Sequence, residues 1–313
     1  MKRISVILAG LLAGVCAFGQ QTWAVVNFSS NFMREKPDYD QEVGNQALMG
    51  TVVKVIGHQG DWTLVESPEP YQAWVVNRGL VEMSEEQKDA YVAEPKLICT
   101  REYDCIRLDP TETSAKISDL VMGDILRGTG RKVLGWTEIS MPDGQKGWVR
   151  SAALKDFGKW AESRVLNGDN VESLARQFMG VPYMWGGKSI KHVDCSGLTS
   201  AVYFMLGVLL PRNASQQAKV GDEVPLDSLQ KGDLLFFGRA AEGENPERIS
   251  HVAIYVGDGR IIHSSYLVRE NSIIPGAGNY TGRTPLHARR IIGCVDSGKG
   301  ITSLLKSPLY FKQ

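Results

Sequence analysis

Residues 22 to about 155 contain one unit twice. Met33-Arg34 recurs as Ile106-Arg107, Met49-Gly50 as Met122-Gly123, Trp62-Thr63 as Trp136-Thr137, and Ala73-Trp74-Val75 as Gly147-Trp148-Val149, at offsets of 73 or 74 residues. Four landmarks in one order at near-constant spacing mark an internal repeat rather than a chance coincidence of tryptophans. Each copy is made of short runs of strand-like alternation, in the first copy Thr51 to Ile56, Trp62 to Glu66 and Trp74 to Val76. Pro68 and Pro70 break the first copy, Asp143 and Gly144 the second. Several short strands with regular turn signals, in a unit of about 60 residues, predict a small β-barrel.

Beyond the repeat the pattern changes. Met83 to Pro95 reads as a charged connector between the copies, and a second connector runs from about Lys155 to Asn170. Val171 to Phe178 then carries a helical apolar stripe that stops at Gly180, with Pro182 two residues on. A second helix is expected from Asp194-Cys195, with Leu198, Val202, Met205 and Leu209 on one side and an end near Gly207. After Lys231-Gly232-Asp233 the runs Leu234 to Phe237, His251 to Val256 and Arg260 to Ser264 read as strands. Helices first and an antiparallel meander after them predict an α+β domain. The expected units are residues 20–84, 95–155 and 165–313. The last includes a surface extension from Ser297 whose Leu304, Leu309, Tyr310 and Phe311 pack inward.

The first nineteen residues stand apart. Lys2-Arg3 precede an apolar run from Ile4 to Phe18, and Ala17-Phe18-Gly19 has the small-x-small form of a signal-peptidase site. The run is too short for a stable membrane span. The expectation is a removed export signal, with the mature chain periplasmic or secreted. A lipid anchor at Cys16 is the lesser alternative, because Val15 fits a lipobox poorly. Thirty-five basic and thirty-five acidic residues leave no net charge and no nucleic-acid footprint. Cys99 and Cys105 are close enough to bridge in an oxidising compartment or to stay free, and the sequence leaves both open.

The chemistry centres on Cys195. Asp194 suits an N-cap, which puts the cysteine in the first helical turn, where unpaired N–H groups and the positive dipole end favour a thiolate. A cysteine nucleophile needs a base and a third group that orients the base. His58, His192 and His287 sit in turn-like, polar or basic contexts, whereas His251 and His263 lie on strands joined by Gly257-Asp258-Gly259. A two-residue loop would pair His263 with Ile254 and put the histidines on opposite faces. A three-residue loop with a glycine bulge pairs His263 with Ala253 and puts both on one face. The second register is expected, since Gly259 supplies the left-handed residue.

Tyr183-x-Trp-Gly-Gly, Asp194-Cys195-Ser196-Gly197, Leu210-Pro211-Arg212 with Gln216 or Gln217 following, Lys231-Gly232-Asp233-Leu234 and His251-Val252-Ala253-Ile254-Tyr255 resemble the motifs of the NlpC/P60 cysteine peptidases over residues 165–297. Both repeat copies resemble bacterial SH3 domains. The resemblance implies two small all-β SH3-like barrels followed by an α+β papain-like NlpC/P60 domain. It implies Cys195 as nucleophile, His251 as base, His263 as orienting residue and Tyr183 as oxyanion donor with the Cys195 N–H. Neither metal nor cofactor is expected, and a thiolate at neutral pH is. The arrangement further resembles a subgroup that cleaves γ-D-glutamyl to diamino-acid bonds next to a free N-terminal L-alanine. That implies Glu42, Tyr71 and Asp194 around the ammonium, with Ser196 and Ser215 as weaker candidates for the D-glutamate α-carboxylate. The implied partners are peptidoglycan stem peptides or muropeptides, bound by a monomer. Two other readings remain at this stage. One is a wall-binding scaffold with an inactive peptidase fold, the other a papain-like amidase or acyltransferase on another acyl bond. A P-loop at Gly187-Lys188-Ser189 is excluded by Pro182, and zinc at Cys195, His251 and His263 lacks a fourth ligand.

Overall fold

The computed structural model describes residues 22–313, so the export-signal reading, with Cys16, lies outside the described residues. Seven strands, β1 (Thr22–Val26), β2 (Ser30–Arg34), β3 (Val43–Leu48), β4 (Val52–Gln59), β5 (Trp62–Glu66), β6 (Gln72–Val76) and β7 (Leu80–Met83), form an antiparallel sheet in the order β3-β2-β6-β5-β4-β1-β7. Seven more repeat that order strand for strand: β8 (Lys96–Cys99), β9 (Tyr103–Arg107), β10 (Lys116–Val121), β11 (Ile125–Val133), β12 (Trp136–Ser140), β13 (Lys146–Arg150) and β14 (Leu154–Asp156). Equivalent landmarks fill equivalent cores, Met33 and Val75 in the first and Ile106 and Val149 in the second.

The first connector is more ordered than its charge suggests. It forms helix α1 (Glu85–Ala93), started by a capping box in which Ser84 and Gln87 satisfy each other's backbone N–H groups. The two copies meet at their equivalent Met-Gly turns. Met49 N donates to Asp124 Oδ1 (3.0 Å) and Ile125 N donates to the Met49 carbonyl (2.9 Å). A Cβ on Gly50, at φ +82°, would sit 2.1 Å from the Ile125 carbonyl oxygen, so only glycine allows this approach. Cys99 and Cys105 are buried free thiols.

The third unit opens with α2 (Phe157–Glu162) and α3 (Gly168–Gln177), then a short ribbon of β15 (Lys188–Ser189) and β16 (His192–Val193). Helix α4 (Cys195–Phe204), β17 (Val208–Leu209) and α5 (Ala214–Gln217) follow. The six-stranded antiparallel sheet is built from β18 (Asp222–Glu223), β19 (Leu234–Arg239), β20 (Arg248–Gly257), β21 (Arg260–Ser265), β22 (Leu267–Ser272) and β23 (His287–Arg290), in the order β18-β23-β19-β20-β21-β22. Strand β24 (Thr302–Ser303) returns to pair with β17. Helix α4 lies against β20 and β21, burying Leu198 and Val202 with Val252, Ile254 and Ile262. Ile98, Met122 and Ile125 of the second barrel join this core, and the C-terminal segment adds Leu304 and Tyr310, with Phe311 stacked on Phe157 at 4.7 Å.

The β20–β21 ladder settles the histidine register. Ile254 faces Ile262 and Tyr255 faces Ile261, which sets His263 opposite Ala253 as expected. The device differs from the expected one. The loop has two residues, Asp258 and Gly259, at φ +53° and +68° as a type I′ turn requires, and the frame is shifted instead by an extra residue, Val256, in β20.

Candidate active site

Asp194 caps α4, its Oδ1 accepting from Gly197 N at 2.7 Å and its Oδ2 from Gly186 N at 2.9 Å. Both oxygens also meet the Arg212 guanidinium, Nη2 to Oδ2 at 2.6 Å and Nη1 to Oδ1 at 3.2 Å. Arg212 is 1% exposed, and its Nε donates to Asn45 Oδ1 of the first barrel at 2.8 Å. The cap, the arginine and the barrel are thus one buried network, in which every charge has its partner. Gln217 secures the same turn, its amide donating to the carbonyls of Ser196 and Pro211 while its Oε1 accepts from Thr199. These contacts account for the Leu-Pro-Arg motif and the glutamine after it.

The histidines form a chain. His251 Nε2 lies 2.8 Å from His263 Nδ1, and His263 Nε2 lies 2.9 Å from Asn271 Oδ1. Asn271 cannot be turned over, because its Nδ2 donates to the Asn279 carbonyl at 2.7 Å. Its Oδ1 therefore accepts, so His263 carries its proton on Nε2 and offers Nδ1 as acceptor. His251 then carries its proton on Nε2, which leaves the lone pair on Nδ1. Nothing in the sequence around Asn271 distinguished it. Its role comes from lying on β22, two residues past Arg269, which pairs with His263.

Cys195 is 7% exposed. Burial, and secondarily the Asp194 carboxylate, pushes its thiol up to about 11, against the N–H groups of Val252 and Ser196 and the Arg212 charge. Burial, then the charges of His263 and Arg283, pushes His251 down to about 3. Both shifts favour the neutral forms, thiol and imidazole, because desolvation opposes the helix-end N–H groups that favour a thiolate. Tyr183 is half-buried, and burial followed by the Cys195 and Asp194 charges pushes its phenol up to about 12, so it stays a hydroxyl donor.

A cleft of about 360 Å³ opens beside Cys195. Asp194, Cys195 and Ser196 line its floor, Tyr71, Glu35 and Gly44 its barrel wall, and Ser215 and Arg248 the wall made by α5 and β20. The turn before Tyr71 is held by Glu69, which pairs with Lys188 and accepts from Asn45 Nδ2 at 3.1 Å. Burial opposes the Glu69 charge, but Lys188 holds the carboxyl below its usual range. Tyr71 Oη fills the space over Gly44, where a Cβ would be 2.0 Å from it. The expected Glu42 is exposed and does not line the cleft, whereas Glu35 does. The two face each other at the base of the β2–β3 loop, Glu35 N donating to the Glu42 carbonyl at 3.1 Å. The Ser196 hydroxyl lines the cleft yet is engaged by Arg212 (3.0 Å) and Asp194 (3.3 Å).

The profile of the NlpC/P60 family matches residues 180–290, and that of the bacterial SH3 domain matches residues 29–81. The gamma-D-glutamyl-L-lysine dipeptidyl-peptidase of Bacillus cereus is 31% identical over 242 residues, covering 74% of this chain and 69% of that relative. The chain belongs to the NlpC/P60 family. Dipeptidyl-peptidase 6 of Lysinibacillus sphaericus is 29% identical over 248 residues, 77% of this chain and 86% of its own. Among solved structures, an NlpC/P60 family protein from Bacillus cereus superposes with a TM-score of 0.72 at 24% identity, covering 86% of this chain and 99% of that one, which extends the shared fold beyond the NlpC/P60 domain. The chain is thus a cell-wall peptidase of the NlpC/P60 type with an SH3-like region before its peptidase domain.

Proposed function

We propose that the protein cleaves the γ-D-glutamyl to diamino-acid bond of peptidoglycan stem peptides whose L-alanine is already free at the N-terminus. The observation that carries this reading is the barrel wall of the cleft. Glu35 and Tyr71 reach over the Cys195 floor from the first barrel and close the cleft on that side. The Glu35 side chain has no hydrogen bond or ion pair among the described residues, and a carboxylate beside a phenol suits an ammonium group. Asp194 lies on the same floor with its charge already matched by Arg212, which leaves Glu35 as the free anion for the ammonium.

In this reading His251 Nδ1 takes the thiol proton as the sulfur attacks the γ-carbonyl carbon. The Tyr183 hydroxyl and the Cys195 N–H receive the developing oxyanion. His251, now an imidazolium hydrogen-bonded to His263, protonates the leaving diamino-acid amine, and water hydrolyses the thioester to free L-Ala-γ-D-Glu. A wall-facing location outside the cytoplasm, a monomeric state and the absence of a cofactor requirement belong to the same proposal.

Mass-resolved digestion tests it. L-Ala-γ-D-Glu-meso-diaminopimelate, the same peptide N-acetylated, and intact sacculi are given to the protein, with Cys195→Ala as blank. Cleavage of the free peptide alone, releasing L-Ala-γ-D-Glu, is the expected result. Equal cleavage of all three would leave a general wall endopeptidase. No cleavage at all would favour a binding role.

A further inference from the structure

The cleft beside Cys195 is lined by three charged residues, Glu35, Asp194 and Arg248. Asp194 is neutralised by the buried Arg212. That leaves one unpartnered anion, Glu35 on the barrel wall, and one unpartnered cation, Arg248 on the wall formed by α5 and β20. Among the described residues the Arg248 side chain makes no hydrogen bond and no ion pair, although its neighbour Glu247 pairs with His287 at 2.6 Å. Its cross-strand partner on β19 is another arginine, Arg239, whose guanidinium reaches only the Pro246 carbonyl, at 3.4 Å. Like charges directly opposite each other in an antiparallel pair destabilise it. Two paired strand ends that set these cations against each other, one of them lining the cleft beside Cys195 and neither met by a carboxylate, are short of an anion.

The peptide proposed above carries one. Its acyl residue, a γ-linked glutamate, bears a free α-carboxylate beside the scissile bond, and the alanine ammonium lies on its other side. One unpartnered anion and one unpartnered cation on two walls complement that pair of charges. Ser215 and Asn213 line the cleft on the Arg248 side and can add hydroxyl and amide donors. The Ser196 hydroxyl is less available, being held by Arg212 and Asp194.

We propose that the Arg248 guanidinium binds the α-carboxylate of the γ-glutamyl residue and makes the enzyme reject peptides in which that carboxylate is amidated. This rests on the peptidase reading above and sharpens it. A guanidinium meets a carboxylate through two parallel N–H bonds, whereas a carboxamide offers one acceptor and turns its NH₂ toward the cation.

The test compares L-Ala-γ-D-Glu-L-Lys with its α-amidated form, L-Ala-γ-D-isoGln-L-Lys, using the wild-type chain, Arg248→Gln and Arg248→Lys. The wild type is expected to prefer the free acid by about 10–100-fold in kcat/KM, a range suited to a partly solvated contact. Arg248→Gln removes most of that preference by raising KM for the free acid, and Arg248→Lys restores part of it. Calorimetry with Cys195→Ala reads the same contact without turnover, with L-Ala-γ-D-Glu binding more tightly than L-Ala-D-isoglutamine. Equal cleavage of the two peptides by the wild type, or an equal loss on both in Arg248→Gln, would overturn the proposal. So would a preference that follows amidation of the lysine carboxylate instead. If the wild type cleaves neither peptide and Cys195→Ala binds neither dipeptide, the peptidase reading fails first and this inference with it.

Discussion

Arg212 Nε donates to Asn45 Oδ1 across 2.8 Å, joining two residues 167 positions apart and tying the N-cap of α4 to the first barrel. The same guanidinium neutralises Asp194. Arg212→Met would leave a buried carboxylate without its cation, and a loss of about 3–5 kcal/mol is expected. Arg212→Lys should not recover it, since an ammonium cannot serve Asp194, Ser196 and Asn45 at once. Denaturant midpoints of the three proteins check this. A lysine variant as stable as wild type would contradict the bidentate account.

By accepting from His263 Nε2, Asn271 fixes the tautomers of both histidines and so positions the His251 proton. Asn271→Leu leaves His263 free to place its proton on either nitrogen, so His251 Nδ1 is no longer held unprotonated. The expected loss is about 10–100-fold in kcat with KM little changed, by analogy with groups that orient a ligating or catalytic imidazole. Asn271→Asp, which still accepts from His263 Nε2, should retain more activity than the leucine variant. If the two variants fall equally, the relay is not what Asn271 contributes.

Acid should unfold this protein through its buried histidines. Burial holds His251 at about 3, below its ordinary 6.5, and His263 is shifted in the same direction. Between those values the unfolded chain binds protons that the native chain does not, so stability rises with pH across the window and is lost as pH falls through it. A single such proton contributes a slope of up to about 1.4 kcal/mol per pH unit. Unfolding free energies at about pH 7 and about pH 4.5 should differ less in His251→Gln than in wild type. An unchanged difference would mean that carboxylates alone carry the acid sensitivity.

What could be read in advance followed the range of the interaction. The Asp194 cap, the cysteine in the first turn and the stop at Gly180 depend on a few neighbouring residues, and the chain displays them directly. The repeat was legible because its landmarks fill the same core positions in each barrel. That Met49-Gly50 and Met122-Gly123 also pack on each other was not, since nothing local marks a turn as an interface. The histidine register was anticipated by way of the wrong turn, because a two-residue loop plus a bulge shifts the frame as a three-residue loop does. Arg212, Asn271 and Glu35 take their places at the site from partners far away in the chain or from which side of a loop stem lines the cleft, so residue type alone did not identify them. Within the connector Met83 to Pro95 the charges were the visible feature, whereas its helix depends on the Ser84–Gln87 capping box.

Gly44 is the point at which a single methyl group should disturb the cleft. A Cβ there would lie 2.0 Å from Tyr71 Oη and 3.1 Å from its Cζ, so the phenol has to move. Gly44→Ala should therefore resemble Tyr71→Ala in raising KM for peptides with a free N-terminal alanine. Its thermal midpoint should fall by only a few degrees, as for a loss of about 1 kcal/mol. A KM equal to wild type would place Tyr71 outside the binding surface.

The last expectation separates two glutamates at the stem of one loop. Both are exposed, but Glu35 lines the cleft and Glu42 does not, although their backbones are joined by a 3.1 Å hydrogen bond. If a carboxylate of the first barrel binds the alanine ammonium, Glu35→Gln keeps the shape and removes the charge. KM for L-Ala-γ-D-Glu-meso-diaminopimelate should then rise by about 10–100-fold, the loss expected when a charge-assisted contact of about 1.5–3 kcal/mol is removed. Glu42→Gln should leave KM within about twofold, as for a surface substitution. The N-acetylated peptide supplies the internal control, since it has no ammonium to lose and any residual binding of it should be insensitive to Glu35. A rise in KM for Glu42→Gln without one for Glu35→Gln would reverse the assignment. An equal effect of Glu35→Gln on both peptides would mean that the barrel wall shapes the cleft without reading charge.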